Sequence, residues 1–193
     1  MAPRGKPPTC FRKKSFEPKS HVTGRLAAHR DGFGFVIPDE PISGLRGDIF
    51  VSPAALGSAL HGDRVLLTGV RVRDDGRAEG HIQRVLDRAQ ETIVGQFRAT
   101  HDGNYVIPFD ERIPHQIVIP KRMEIPKNKP SDLSAAQLDR YVVHVEITRF
   151  PSSTQSARGR ILEILGKAGD FGVDVEIIIR KFHLPHEFSA EVQ

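Results

Sequence analysis

From His21 onward, short apolar runs alternate with turn residues, a pattern that predicts many short strands. The first run covers Val22 to Ala28. The second, Phe33 to Ile37, stops at Pro38, and the third, Asp48 to Val51, stops at Ser52-Pro53. Asp63 to Val72 and Glu79 to Leu86 flank Asp74-Asp75-Gly76, a turn signal between two strands. Pro53 to Leu56 suits a short helical turn.

The same order then recurs. Phe35-Val36-Ile37-Pro38 returns as Tyr105-Val106-Ile107-Pro108, Ile49-Phe50-Val51 as Ile117-Val118-Ile119, and Asp63-Arg64-Val65 as Asp139-Arg140-Tyr141. Gly80-His81-Ile82 returns as Gly159-Arg160-Ile161. Colinear matches over five elements predict two five-stranded units, at 21–89 and 90–168. Five strands with a turn of helix between the third and fourth suit an OB-type barrel, whose second and third strands face oligonucleotides. The predicted fold class is therefore all-β, with two tandem barrels. Residues 169–193 stand apart. Phe171, Val175, Ile178 and Phe182 have helical spacing, whereas Val173, Val175, Ile177 and Ile179 alternate as a strand would, so periodicity leaves both open.

Charge changes this picture at one end. The net charge is +4, but residues 1–20 hold six cations (Arg4, Lys6, Arg12, Lys13, Lys14, Lys19) against Glu17, an excess of +5. The rest of the chain sums to about −1, so affinity for nucleic acid requires a local patch. The tail is rich in Pro, Lys and Ser, shows no period, and is expected to be disordered. No apolar run approaches the roughly 18 residues of a membrane span, and the N-terminus lacks a signal-peptide core. The single Cys10 has no internal disulfide partner, so a cytoplasmic location is expected.

Asp31-Gly32-Phe33-Gly34-Phe35-Val36 carries the candidate chemistry. On a strand, Phe33 and Phe35 share a face. If that face meets solvent, the two rings form a stacking platform, and the flanking glycines let a ligand approach the backbone. If it faces the barrel interior, the rings are core. The second unit keeps Val106-Ile107-Pro108 without the Gly-Phe alternation, since Gly103 and Asn104 stand at the places of Phe33 and Gly34. The alternation is therefore read as serving a ligand rather than folding. Tyr105 keeps one ring in the second unit, and Val118 replaces Phe50 there. The cations Arg98, Lys121, Arg122, Lys127 and Lys129 suit either phosphate contact or solvated loops. The acidic pairs Asp39-Glu40, Asp74-Asp75 and Asp110-Glu111 sit at turns, where solvated acids are ordinary. His183 and His186 lack companion ligands at zinc-site spacing, so no catalytic or metal residue is predicted.

DGFGFV followed by DIFV resembles the paired RNA-binding signatures of cold-shock domains. The larger set GRLAAHRDGFGFVIPDE, GDIFVSP, HGDRV, IVGQF, RIPHQIVIP and IRKFHLPHEF resembles the N-terminal region of ribonuclease R-type exoribonucleases of the ribonuclease II family. It covers residues 21–193. That resemblance implies two cold-shock-like OB barrels and a connector helix at 169–193, leading into a catalytic domain not present in this sequence. It further implies single-stranded RNA as partner, with stacking by Phe33, Phe35 and Phe50. Arg25, Arg30, Arg46 and the basic tail would contact phosphates, His29 or Arg30 would partly replace the family's missing strand-one tryptophan, by stacking or by phosphate contact, and Tyr105 would contribute from the second barrel. The parent family degrades RNA from the 3′ end with magnesium, which would act in the catalytic domain; no cofactor is expected in this chain. The protein is expected to be an inactive monomer alone, without membrane contact. Two other functions stay open: a free-standing RNA chaperone and an OB module that docks on a protein.

Overall fold

A computed structural model describes residues 21–126, 134–152, 154–182 and 184. The predicted basic tail, Lys127, Lys129, His183 and His186 lie outside the described residues. The first unit contains β1 (His21–Ala28), β2 (Gly34–Pro38), β3 (Ile49–Val51), a 3-10 turn (Pro53–Ala55), β4 (Arg64–Val72) and β5 (Ala78–Asp87). The second contains β6 (Thr92–Thr100), β7 (Gly103–Pro108), β8 (Ile117–Ile119), β9 (Tyr141–Arg149) and β10 (Arg158–Lys167). These bounds differ from the sequence reading by about a residue at most first-unit ends.

Each unit closes into a barrel with the same strand order: β1-β2-β3-β5-β4 and β10-β8-β7-β6-β9. All pairings are antiparallel except β3 with β5 and β8 with β10, which close the barrels. Alternation explains the interiors. Leu26, Val36, Ile49, Val51, Val65 and Leu67 point inward in the first barrel, and Phe97, Val106, Ile117, Val143 and Val145 in the second. Phe97 is 0% exposed and is core. The internal repeat extends to glycine. A Cβ on Gly24 would lie 2.4 Å from the Ile37 carbonyl oxygen, and one on Gly95 would lie 2.3 Å from that of Ile107. Both first strands thus cross their neighbours too closely for any side chain.

The barrels are joined by more than the chain between them. Leu60, in the segment before β4, packs into the second barrel's core. Asp63 is 0% exposed and accepts hydrogen bonds from the Leu60 N–H (2.9 Å), the Ala89 N–H (3.0 Å) and Arg88 Nη1 (2.7 Å). The Arg88 guanidinium also lies 3.5 Å from the centre of the Phe150 ring, in the second barrel. A buried carboxylate therefore orients the arginine that clasps the neighbouring barrel.

Val173–Lys181 is a helix, α1. Val173 and Ile177 lie one turn apart and pack on Val94, Val142 and Leu165 of the second barrel. That contact selects the helical period over the strand-like one. Arg180 donates to Glu163 at 3.0 Å, tying the helix to β10. Phe171, Val175, Ile178 and Phe182 remain exposed on its outer side. Among the described residues, no helix is long and apolar enough to cross a membrane.

Candidate nucleic-acid interface

The turn between β1 and β2 builds one end of the interface. The His29 N–H donates to the Phe33 carbonyl at 2.7 Å, and the Gly32 N–H to the His29 carbonyl at 3.0 Å. Gly32 takes φ +84°, a conformation that glycine adopts without steric cost. This tight turn lays the His29 ring flat on Phe33, with centroids 4.5 Å apart and planes 13° apart.

The strands supply the other rings. Phe35 on β2 pairs directly with Phe50 on β3. Their outward side chains are 40% and 37% exposed. Phe33, Phe35 and Phe50 form a triangle with centroid separations of 5.8, 5.8 and 5.9 Å. The structure thus resolves the sequence ambiguity: the rings lie outside the barrel. Four rings form one patch, extended along β2 by the exposed Ile37. Beside Phe35 on β1 stands Ala27, so the ring on that strand's side comes from His29 in the turn.

One expectation needs correction. Gly34 faces the barrel interior, where an added Cβ would lie 2.7 Å from Leu26 Cδ1 and 3.4 Å from Leu56 Cδ2. The glycine between the two phenylalanines is therefore demanded by core packing and does not open the backbone to a ligand. Asn104 occupies the corresponding place in the second barrel because its amide finds a partner there, donating to Glu124 at 3.0 Å.

The predicted cations surround the patch unevenly. Arg25 is exposed on β1, opposite Ile37 and next to Arg64 of β4. Arg30 lies in the β1–β2 turn and reaches Glu111 of the second barrel at 3.9 Å. Arg46 lies beyond the other end of β3, where its N–H donates to the Gly76 carbonyl at 2.7 Å. The candidates thus mark both ends of the patch and its β1 side. Glu79, opposite Phe50 on β5, is paired with Arg73 at 3.0 Å. Tyr105 is on β7, paired with Val118, and sits apart from the four-ring patch on the second barrel. Arg98 is held by Asp139 at 3.2 Å.

Another group escaped the sequence reading. Asp110 is not a solvated turn acid. It grips Arg112 through two contacts to Nε and Nη2 (2.8 and 2.7 Å), and its pKa is lowered, first by the hydrogen bond from Arg112. Arg112 Nη1 then meets His61 Nε2 of the first barrel at 2.7 Å. The Ala28 N–H approaches the other ring nitrogen of His61 at 3.2 Å. A neutral imidazole accepts at only one nitrogen, so these contacts compete for one lone pair. Burial, then the Arg112 charge, lowers the His61 pKa. No spacing rule signals this triad, because its members come from different barrels.

Two family models match the chain. A ribonuclease B OB domain covers residues 24–85, and a cold shock domain covers residues 105–189. Ribonuclease R of Acidithiobacillus ferrooxidans is 35% identical over 171 residues, 89% of this chain and 36% of the relative. The chain matches the N-terminal OB-domain region of ribonuclease R. Its barrels share their fold with ribonuclease R of Mycoplasma genitalium in the apo form, at TM-score 0.70 and 16% identity. They share it also with that enzyme in complex with ribose-methylated single-stranded RNA, at TM-score 0.67 and 16% identity. Each comparison covers 89% of this chain and 26% of the Mycoplasma chain. The chain thus spans about a third or less of the length of these ribonuclease R relatives.

Proposed function

We propose that this chain binds single-stranded RNA on the first barrel and delivers it to a catalytic domain of the ribonuclease R type. The four-ring patch carries this reading. Its rings lie outside the core, and ring faces bind unpaired bases without regard to sequence. Arg25, Arg30 and Arg46 stand where a backbone crossing the patch would pass. The Mycoplasma relative in complex with single-stranded RNA supports the same ligand class.

The barrels serve binding rather than cleavage in this reading. Phosphodiester hydrolysis with metal ions needs convergent ligands. Among the described residues, no group of three or more His, Cys, Asp or Glu side chains could hold a metal ion. In this reading hydrolysis belongs to the catalytic domain, and no hydrolytic step is assigned to these barrels. The outward side of α1 gives the delivery part its support, because Phe171, Val175, Ile178 and Phe182 offer an apolar surface to a following domain.

Fluorescence anisotropy with a labelled oligoribonucleotide tests the binding role. Phe33→Ala combined with Phe35→Ala is expected to weaken affinity by at least tenfold, about 1.4 kcal/mol. Unchanged affinity in a folded double variant overturns the platform.

A further inference from the structure

The barrels meet through contacts of two kinds. Leu60 packs into the second barrel's core, and the Arg88 guanidinium covers the Phe150 ring. Neither side chain changes charge near neutral pH. The contact between His61 and Arg112 is different. Arg112 is rigidly mounted on the second barrel. Asp110 holds its Nε at 2.8 Å and its Nη2 at 2.7 Å, and the Asp110 carbonyl accepts from the Ile113 N–H at 2.9 Å. Arg112 Nη1 reaches across to the first barrel and meets His61 Nε2 at 2.7 Å. An arginine can only donate, so His61 must accept. The Ala28 N–H faces the other ring nitrogen at 3.2 Å. An imidazolium carries an N–H on both nitrogens and accepts at neither. One proton on His61 therefore removes both contacts and sets two like charges at hydrogen-bond distance.

We propose that the His61–Arg112 contact is a proton-operated latch, which fixes the angle between the two barrels while the imidazole is neutral and frees it on protonation. Leu60, next to His61 in the chain, is the pivot, because its side chain stays in the second barrel's core when the latch opens. Room for the motion lies alongside. A cleft of about 350 Å³ is lined by Ala28, Leu56 and Ala59 of the first barrel and by Arg112 and Pro114 of the second. The four-ring patch belongs to the first barrel, and α1 packs on the second. The latch thus sets how one stands relative to the other. This goes beyond the RNA-binding reading and holds whatever ligand the patch takes.

The charges around His61 agree with this assignment. Asp63 faces it from the first barrel and is engaged by Arg88 at 2.7 Å. Asp110 faces it from the second barrel, and Lys181 of α1 faces Asp110 in turn. The Asp110 pKa is lowered, first by the hydrogen bond from Arg112, so Asp110 stays charged while His61 titrates. The break therefore falls between His61 and Arg112, not between Arg112 and Asp110. His29 and His115 line the cleft with Arg112, and Arg30 reaches Glu111 across the barrels at 3.9 Å. That last pair is exposed, and exposed pairs of this kind hold little. Burial, then the Arg112 charge, lowers the His61 pKa, so closure favours the neutral ring. Between the ordinary value of about 6.5 and the lower value of the closed state, acidification reduces the closed-to-open ratio by up to about tenfold per pH unit.

Resonance energy transfer between the barrels tests the latch. Asp74→Cys in the β4–β5 turn and Asp102→Cys in the β6–β7 turn are exposed positions for pH-insensitive dyes, in a Cys10→Ser background. Transfer efficiency is expected to stay constant above the ordinary histidine range and to shift as pH falls through it toward about 5. Circular dichroism should remain that of folded barrels throughout. His61→Gln can accept from Arg112 at any pH and should hold the alkaline value across the range. Arg112→Leu should show the shifted value already at alkaline pH and should not respond to acid. A flat profile in the parent protein overturns the latch. So does a shift that persists in His61→Gln, because another group then carries it. Should the glutamine variant fail to fold, Arg112→Leu decides: an unshifted value at alkaline pH, or a remaining response to acid, overturns the proposal.

Discussion

Phe50→Ala isolates one ring of the patch. Phe50 is 37% exposed, and its contacts to Phe33 and Phe35 lie outside the barrel, so truncation leaves no core cavity. Two ring–ring contacts are lost, each worth about 0.5–1.5 kcal/mol beyond the apolar area they cover, so the ring–ring part of the stability cost is up to about 3 kcal/mol. The binding cost is one base stack, about 1–3 kcal/mol, or roughly 5- to 150-fold in affinity. Anisotropy titration at several salt concentrations, alongside thermal melting, separates the two. Stacking contributes no counterion release, so affinity should fall while the slope against salt stays the same. Phe50→Leu adds a control. It retains apolar bulk but no ring, so it should keep much of the stability and still lose affinity. Phe50→Tyr should keep both. Full RNA affinity in a folded Phe50→Ala protein would refute the stacking role, and so would a loss seen only as a changed salt slope.

Other perturbations test the scaffold. Gly34→Ala should destabilise by about 1–3 kcal/mol, the usual cost of overpacking, because its Cβ would meet Leu26 at 2.7 Å; unchanged melting would show that the interior has room. Asp63→Ala leaves two buried backbone N–H groups without their acceptor and takes from Arg88 its carboxylate partner, leaving it only Ser58. The expected loss is about 3–5 kcal/mol, lowering the melting temperature by roughly 6–20 °C. The pKa of His61 is lowered on folding, so the unfolded chain binds its proton more readily. Its contribution to stability is therefore full above the ordinary value of about 6.5 and is lost as pH falls below it toward the folded value. Melting curves between about pH 8 and pH 5 should show this decline, and His61→Gln should remove it; an unaltered profile in the variant would exclude His61 as the source.

Much of this architecture was legible in the chain because two periods carry it. Residues alternating inward and outward define the strands, and the colinear repeat from Val36 to Ile164 defines two similar barrels. Phe33 and Phe35 were legible as a pair because residues two apart on a strand share a face, and the resemblance to cold-shock signatures added Phe50. The sense of that face was not legible, because alternation fixes which residues lie together and not which side is wet. Closure of the barrel decided it by filling the interior with Leu26, Val36, Ile49 and Val51 and leaving no room for three rings. The same closure reversed the reading of Gly34, whose reason lies in Leu26 on another strand.

The sequence by itself determined the strands, their repetition and the sharing of one face by Phe33 and Phe35, and it carried the resemblance to cold-shock domains. Tertiary structure alone decided how α1 lies, since Val173 and Ile177 needed Val94 and Val142 to choose a period. It alone brought His61 to Arg112, Arg88 to Phe150 and Arg30 to Glu111. Periodicity records what each strand does to its immediate neighbours. Contacts between two closed barrels depend on how whole surfaces meet, and single-residue patterns along the chain hold no record of that.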